Sequence, residues 1–347
     1  MVTTIMKTLV LGLLLLSFTG GSVATAQVFK SDVSKKGTTA ASFLSISQGA
    51  RASGMGSAFV AVADDWSSLY WNPAGITSVG NGVTFDHTQW FADIGYNFIA
   101  GSISLGSIGN LGMSLTSSTI GDMRVTTVDQ PEGTGEVFNM SQVAFSLAYA
   151  IRLTDNFAIG FNPKFVYERI WKSSANAVAV DVGVKYNTPF NGIVLGMSIS
   201  NFGQKMHMTG QNTVVLYDSD PLNSANNGRV PAELSTGDWA LPLNFRVGIA
   251  YQPPLGDMHK LILAVDAMHP SDDYESVNVG GEYTFDGFIS FRGGYKSLFL
   301  KESEESFSLG VGVRQRILGN IFLSADYCYV NFGRLANIQK IAISMAF

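Results

Sequence analysis

Four histidines, one cysteine and a scatter of charged residues are the side chains from which this chain would have to build any chemistry. His87, His207, His259 and His269 are isolated, and none stands at metal-ligand spacing from another or from Cys328. A zinc site needs such ligands at short recurring intervals, so no metal is expected. No G-x-S-x-G, H-E-x-x-H or P-loop pattern occurs, and each of those chemistries depends on its spacing. The close glycines of "GSIGNLG" (106–112) join two strand-like segments with no helix after them. They read as a turn and not as a phosphate cradle. No catalytic residue and no cofactor is therefore expected. A hydrolase hidden among inward-facing residues would need Ser, His and Asp on neighbouring positions, and no such signature stands out.

The charges are more informative. Arg246, Asp266, Glu282, Arg292, Arg314 and Asp326 alternate with apolar residues along strand-like segments, as do Lys164, Asp181, Lys185 and Lys340. A lone charge in a low-dielectric interior is very costly, so such groups must be paired or wet. The structural reading is a set of ion pairs that tie opposite walls and a plug together. The functional reading is a polar path or ligand site.

The elements that carry these residues have period two. Ile341, Ile343, Met345 and Phe347 fall on one face of the last segment, with Lys340, Ala342, Ser344 and Ala346 on the other. Leu243, Phe245, Val247, Ile249 and Tyr251 likewise oppose Asn244, Arg246, Gly248 and Ala250. Such alternation marks strands with one apolar and one polar face. Fourteen strands are expected, at 83–90, 95–106, 109–118, 141–151, 156–170, 175–189, 192–203, 242–253, 258–268, 274–285, 287–296, 306–317, 319–331 and 336–347. Most are long enough to cross a bilayer at a tilt. Tight Gly, Pro, Asn and Asp turns alternate with longer connections, above all 119–140 and 204–241,. Aromatics such as Tyr186, Tyr251, Tyr283 and Phe285 cluster near strand ends, as interfacial girdles do,. A soluble sandwich would show shorter strands.

Composition agrees. Charged residues are only 14% of 347, aromatics are 12%, and hydrophobics reach 46% with no run of 18 apolar residues. Soluble domains carry about a quarter charged residues. Helical membrane spans are excluded, and a net charge of −5 leaves no footprint for nucleic acid,. Lys7, the apolar run 9–16 and Ala24-Thr25-Ala26 before Gln27 read as a secretory signal peptide over 1–26,. The expected address is the outer membrane of a Gram-negative-type bacterium, with outer-membrane lipid as the surrounding partner. Even strand number puts both termini on the short-turn, periplasmic side. The expected divisions are signal peptide 1–26, polar periplasmic arm 27–42, hatch 43–82 and barrel 83–347.

Residues 43–76 read "FLSISQGARASGMGSAFVAVADDWSSLYWNPAGI". The pieces Gly49-Ala50-Arg51-Ala52, Met55-Gly56-Ser57-Ala58, Val62-Ala63-Asp64-Asp65 and Trp71-Asn72-Pro73-Ala74-Gly75 resemble the N-terminal signature of the PorV/PorQ outer-membrane family, which belongs with the FadL-like fourteen-stranded barrels. The resemblance implies an all-β fold: a 14-stranded antiparallel transmembrane outer-membrane β-barrel with a short N-terminal hatch, a small helix plus loops, in the lumen. Physics points the same way, because a fourteen-stranded lumen lined by small residues is open without a stopper. Leu69, Tyr70 and Trp71 supply bulk. Pro73 ends a short helix expected around Trp66–Tyr70. Arg51, Asp64 and Asp65 are expected to pair with lumenal charges.

Loop 204–241 is too apolar for a freely solvated loop. Met206, Met208, Leu216 and Trp239 either fold over the barrel mouth or form an extracellular contact surface. The resemblance implies two functions. One is a non-catalytic, partner- or cargo-binding component of protein export of the type IX secretion kind. The other is a FadL-like channel for hydrophobic small molecules. The partners are then a secretion translocon and exported cargo proteins, or an apolar small molecule.

Overall fold

The computed structural model describes residues 34–222, 227–300 and 303–347. The expected signal peptide and residues 27–33 of the expected arm lie outside the described residues.

Fourteen strands form the wall: β1 (Gly82–Gln89), β2 (Gly95–Ser104), β3 (Asn110–Thr119), β4 (Met140–Thr154), β5 (Phe157–Ile170), β6 (Ser173–Asn187) and β7 (Ile193–Gly203) make the first half. The second half is β8 (Asn244–Tyr251), β9 (His259–Pro270), β10 (Ser276–Phe285), β11 (Ile289–Leu298), β12 (Phe307–Leu318), β13 (Ile321–Val330) and β14 (Ile338–Ala346). Each pairs antiparallel with its sequence neighbour, and β1 pairs with β14 from Gly82↔Ala346 to Gln89↔Gln339. The sheet is therefore a closed barrel without free edges, the only form in which strands satisfy their backbone within lipid.

Alternation decides which way each face points. On β1, Val83 and Phe85 are exposed to the outside while Thr84, Asp86 and Thr88 are buried inside. The apolar face is outward and the polar face inward, the reverse of a soluble domain. At Pro163, which has no N–H to give, the β4–β5 ladder lapses and residues 147 and 148 lack a partner in β5,. Tight turns close one rim at 155–156, 286–288 and 319–320. Asp286 and Gly287 both adopt positive φ, 52° and 61°, as a type I′ hairpin requires,. The other rim carries the long connections 120–139 and 204–243.

The core is the lumen itself. Two short helices, α1 (Ala50–Gly54) and α2 (Ser68–Trp71), and a 3-10 segment over Pro73–Ser78 lie inside the barrel. Phe43, Met55, Phe59, Leu69, Trp71 and Ile76 are the largest buried side chains that the N-terminal segment contributes to it. Trp66, Leu69 and Ile76 meet Phe98, Ala100, Ala148 and Ala150 of the wall.

One expectation is corrected here. The described part of the polar arm was expected at the rim that holds the barrel's first and last residues. It lies at the loop rim instead: Lys36 pairs with Asp273 at 2.9 Å, Thr39 donates to Asp272 at 2.9 Å, and the Ala40 amide donates to the Ala240 carbonyl at 2.9 Å. The chain then descends the lumen and leaves at the turn rim, where Phe347 donates to the Asn81 carbonyl. Strand parity fixes the ends of the barrel only. The hatch adds one more crossing.

Candidate functional site: the hatch and its lumenal lock

Arg51 on α1 is the centre of the lock. Its Nε and Nη2 each donate to Glu282 of β10 at 2.7 Å, and its Nη1 reaches Asp64 at 2.5 Å and Asp65 at 3.2 Å. Glu282 also accepts from Arg292 Nε of β11 at 2.6 Å, and Arg292 Nη1 reaches Asp326 of β13 at 2.6 Å. One chain of charges thus runs from the hatch across four strands of wall. A bidentate guanidinium–carboxylate pair is among the strongest and most directional of such contacts.

Other wall residues hold the hatch by its backbone. Asp266 accepts from the Phe59 and Val60 amides at 2.6 and 2.8 Å. Asp86 accepts from the Ala50 amide at 2.7 Å, at the start of α1. Lys185 donates to the Val62 and Ala63 carbonyls, and Lys340 to the Ser47 carbonyl. Arg246 lies over the rings of Tyr70 and Trp71, 5.3 and 5.2 Å from their centroids. The Trp71 indole donates to the Gln48 carbonyl at 2.8 Å. Asn72 precedes Pro73 and works in three directions. Its amide donates to the Val60 and Val184 carbonyls at 2.9 Å each, while its oxygen accepts from the Ala74 amide at 3.2 Å. Gly75 has no room for a Cβ against Ala63 and Ser68.

Wall glycines provide the seats. A Cβ at Gly183 would strike Asn72, at Gly160 the Pro73–Ala74 peptide, at Gly280 the Met55 carbonyl and at Gly294 the Gly56 amide. In the sequence these glycines look like lining for open space. In the structure they are where hatch backbone touches wall backbone.

Below the lock a cavity of about 330 Å³ opens at the turn rim, lined among others by Trp66, Lys260, Arg314 and Asp326. Arg314 is exposed in this mouth and stacks over Phe322 at 4.9 Å, so it stands apart from the lock. Toward the loop rim, voids of about 20 and 30 Å³ lie beside the hatch.

The adjacent acids differ. Burial pushes Asp64 up, but the charges of Arg51, Lys185 and Lys260 outweigh it and its carboxyl titrates below the usual range. Burial pushes Asp65 up, and Arg51 with the Ser67 hydrogen bonds does not fully offset this. The Asp64 contribution is therefore present above the unfolded carboxylate pKa and lost as pH falls through its lowered value. The Asp65 contribution has the opposite sign: it favours the protonated form and is lost as pH rises through its raised value. At neutral pH, Asp64→Asn should loosen the hatch by about 1.5–3 kcal/mol. Asp65→Asn keeps the oxygen that accepts from Ser67 but turns an amide donor toward Arg51 Nη1. Because burial already disfavours the Asp65 charge, it should cost about 0.5–1.5 kcal/mol, less than Asp64→Asn,. Hydrogen exchange of the hatch amides at neutral pH measures both.

The loop residues divide. Met206 is buried among Phe43, Leu44, Val166 and Leu241, so of its two expected places the fold over the barrel mouth holds and the extracellular contact surface is corrected. An apolar loop residue next to an apolar hatch buries itself there. Met208 is half-buried against the same cluster. Leu216 and Trp239 are exposed. Asp86 and the seating glycines are structural residues that sequence reading did not single out, while Lys340 was expected as an inward charge but without its hatch partner. Their signal, a small or charged residue on the inward phase of a strand, was present but shared with many others.

A closed fourteen-stranded barrel with an outward apolar band and a plugged lumen is an outer-membrane protein. The model of the family described as "Type IX secretion system protein PorV" matches residues 29–214, just over half of the 347-residue chain, and the chain belongs to that family. Comparison with curated proteins gives no match. Among solved structures, the chain is similar in fold to the CymD monoaromatic hydrocarbon channel (12% identity, 86% of this chain and 96% of that one, TM-score 0.53). It is also similar to the Ralstonia pickettii toluene transporter TbuX (13%, 86% and 97%, 0.52) and to a Pseudomonas aeruginosa FadL homologue (11%, 86% and 97%, 0.51). At these identities the likeness is one of fold.

Proposed function

We propose that this protein is a non-catalytic docking component of type IX-like protein export, binding a translocon or cargo at its loop rim, which faces outward from the cell. The observation that carries the reading is the lock. The hatch is fixed by a guanidinium shared among three carboxylates and by backbone grips from at least four wall side chains. A stopper held in this way suits a rigid platform better than a gate. The family supports the same reading.

The rival is a conduit for hydrophobic small molecules, favoured by the fold shared with hydrocarbon channels. Against it, the voids of about 20 and 30 Å³ beside the hatch have room for about one water each and none for an aromatic ring,. Purification from native membranes in mild detergent separates the two. A translocon or cargo protein in the eluate supports docking. Bound hydrocarbon or fatty acid without a protein partner overturns it.

A further inference from the structure

We propose that the hairpin formed by Val214–Tyr217 and Val230–Glu233 is a strand-addition site for an extended, basic segment of a partner protein. The inference rests on the docking reading and names the site and the chemistry of its occupant.

The two strands form a sheet of their own, with Val214↔Glu233 and Leu216↔Pro231 as opposed pairs. The Leu234 amide donates to the Thr213 carbonyl at 2.8 Å, which fixes the hydrogen-bonding phase. Pairs 215/232 and 217/230 then face each other across the ladder. The backbone groups of Val214 and Leu216 point away from it on one edge, and those of Pro231 and Glu233 on the other. The two edges are not equivalent. Pro231 has no N–H and blunts its edge, a known defence against strand addition. On the opposite edge the Val214 amide is taken by Gln211, but the Val214 carbonyl and both backbone groups of Leu216 face outward. Leu216 is 64% exposed, and Val214, Val215 and Tyr217 are exposed as well. A two-stranded ribbon is marginal by itself, and a third strand would stabilise it.

Charge selects the occupant. Among the described residues, the loop-rim connections 90–94, 120–139, 171–172, 204–243, 271–275, 299–306 and 331–337 together with Lys35 and Lys36 of the arm hold fourteen acidic residues against seven basic ones. More than half of the chain's 27 acids therefore stand at this rim. Such a field steers basic partners and repels acidic ones. The fitting segment alternates apolar residues, to lie beside Val214 and Leu216, with Lys or Arg.

The test uses the full chain in detergent micelles and a short peptide of alternating Val and Lys as probe, with a Val/Glu peptide as control. The Val/Lys peptide should bind, more weakly as salt rises, and the Val/Glu peptide should not. Leu216→Pro should weaken binding about tenfold, whereas Leu216→Val should keep it. The proline mirrors Pro231 and spares the inward amides of Val215 and Tyr217, so their hydrogen exchange should stay protected. A probe N-methylated at alternate positions should lose binding to the native protein, an arm that needs no variant. Full binding of the N-methylated probe, equal binding of the Val/Glu peptide, or dimerisation of the protein through this edge would overturn the proposal. If a partner co-purifies undiminished with the Leu216→Pro protein, this site fails and the docking reading stands. If no partner accompanies the native protein, the docking reading fails whatever the peptides do.

Discussion

Arg51→Ala should turn a sealed barrel into a leaky one. The substitution removes the one cation shared by Asp64, Asp65 and Glu282, and leaves Asp64 with the weaker field of Lys185 and Lys260 and Asp65 with its Ser67 hydrogen bonds alone. Breaking a buried pair by deleting one partner costs about 3–5 kcal/mol. Each of Phe43, Met55, Phe59, Leu69, Trp71 and Ile76 still contributes about 1.5–3 kcal/mol of burial. Apolar packing therefore outweighs the lost charge, and the hatch should loosen and reseat without leaving. Planar-bilayer recordings should show brief openings in the Arg51→Ala protein where the native protein is silent. Arg51→Lys should fall between, because an ammonium cannot make the two-point contact with Glu282. A silent Arg51→Ala barrel would mean that packing alone holds the stopper.

The second large effect sets two neighbouring glycines against each other. Gly294 faces the lumen, and a Cβ there would overlap the Gly56 amide and the Met55 carbonyl carbon, backbone against backbone. Gly293 faces outward, and its Cβ would meet only Leu309 at an ordinary 3.9 Å. Gly294→Ala should destabilise hatch seating by about 1–3 kcal/mol, read as faster hydrogen exchange over 50–60 and as added conductance. Gly293→Ala should change neither. Equal behaviour of the two variants would remove the role of wall glycines as seats.

These expectations show where the sequence was legible and where it was not. The strands were legible because a period of two is imposed directly by lipid outside and a polar lumen inside. β1 and β2 pair in unbroken register from Gly82↔Ser102 to Gln89↔Gly95. Arg51 was legible as a hatch cation, and Glu282 as an inward acid. Their meeting was not, since 231 positions separate them and only the closed sheet brings them together. The seats were hidden because a glycine on the lumenal phase reads the same whether it meets water or a peptide plane. For Met206 the burial decides between the two expected arrangements, because apolarity announces burial without its direction, and the side chain turns onto the hatch and away from a contact surface. The arm was misplaced because counting strands does not count the hatch.

The seam between β1 and β14 has a consequence for assembly. It joins Gly82 to Ala346, the first and last strands of the wall, so it spans the longest loop in the chain and bears the largest closure entropy,. Each seam strand also carries one grip on the region of α1: Asp86 on β1 takes the Ala50 amide, and Lys340 on β14 gives to the Ser47 carbonyl. Zipping the last two strands and capturing the first helix are thus one event. The segment made first gives the strand made last something to close upon, and a chain without it would seal a carboxylate and an ammonium with no backbone to hold. The stopper is also a template.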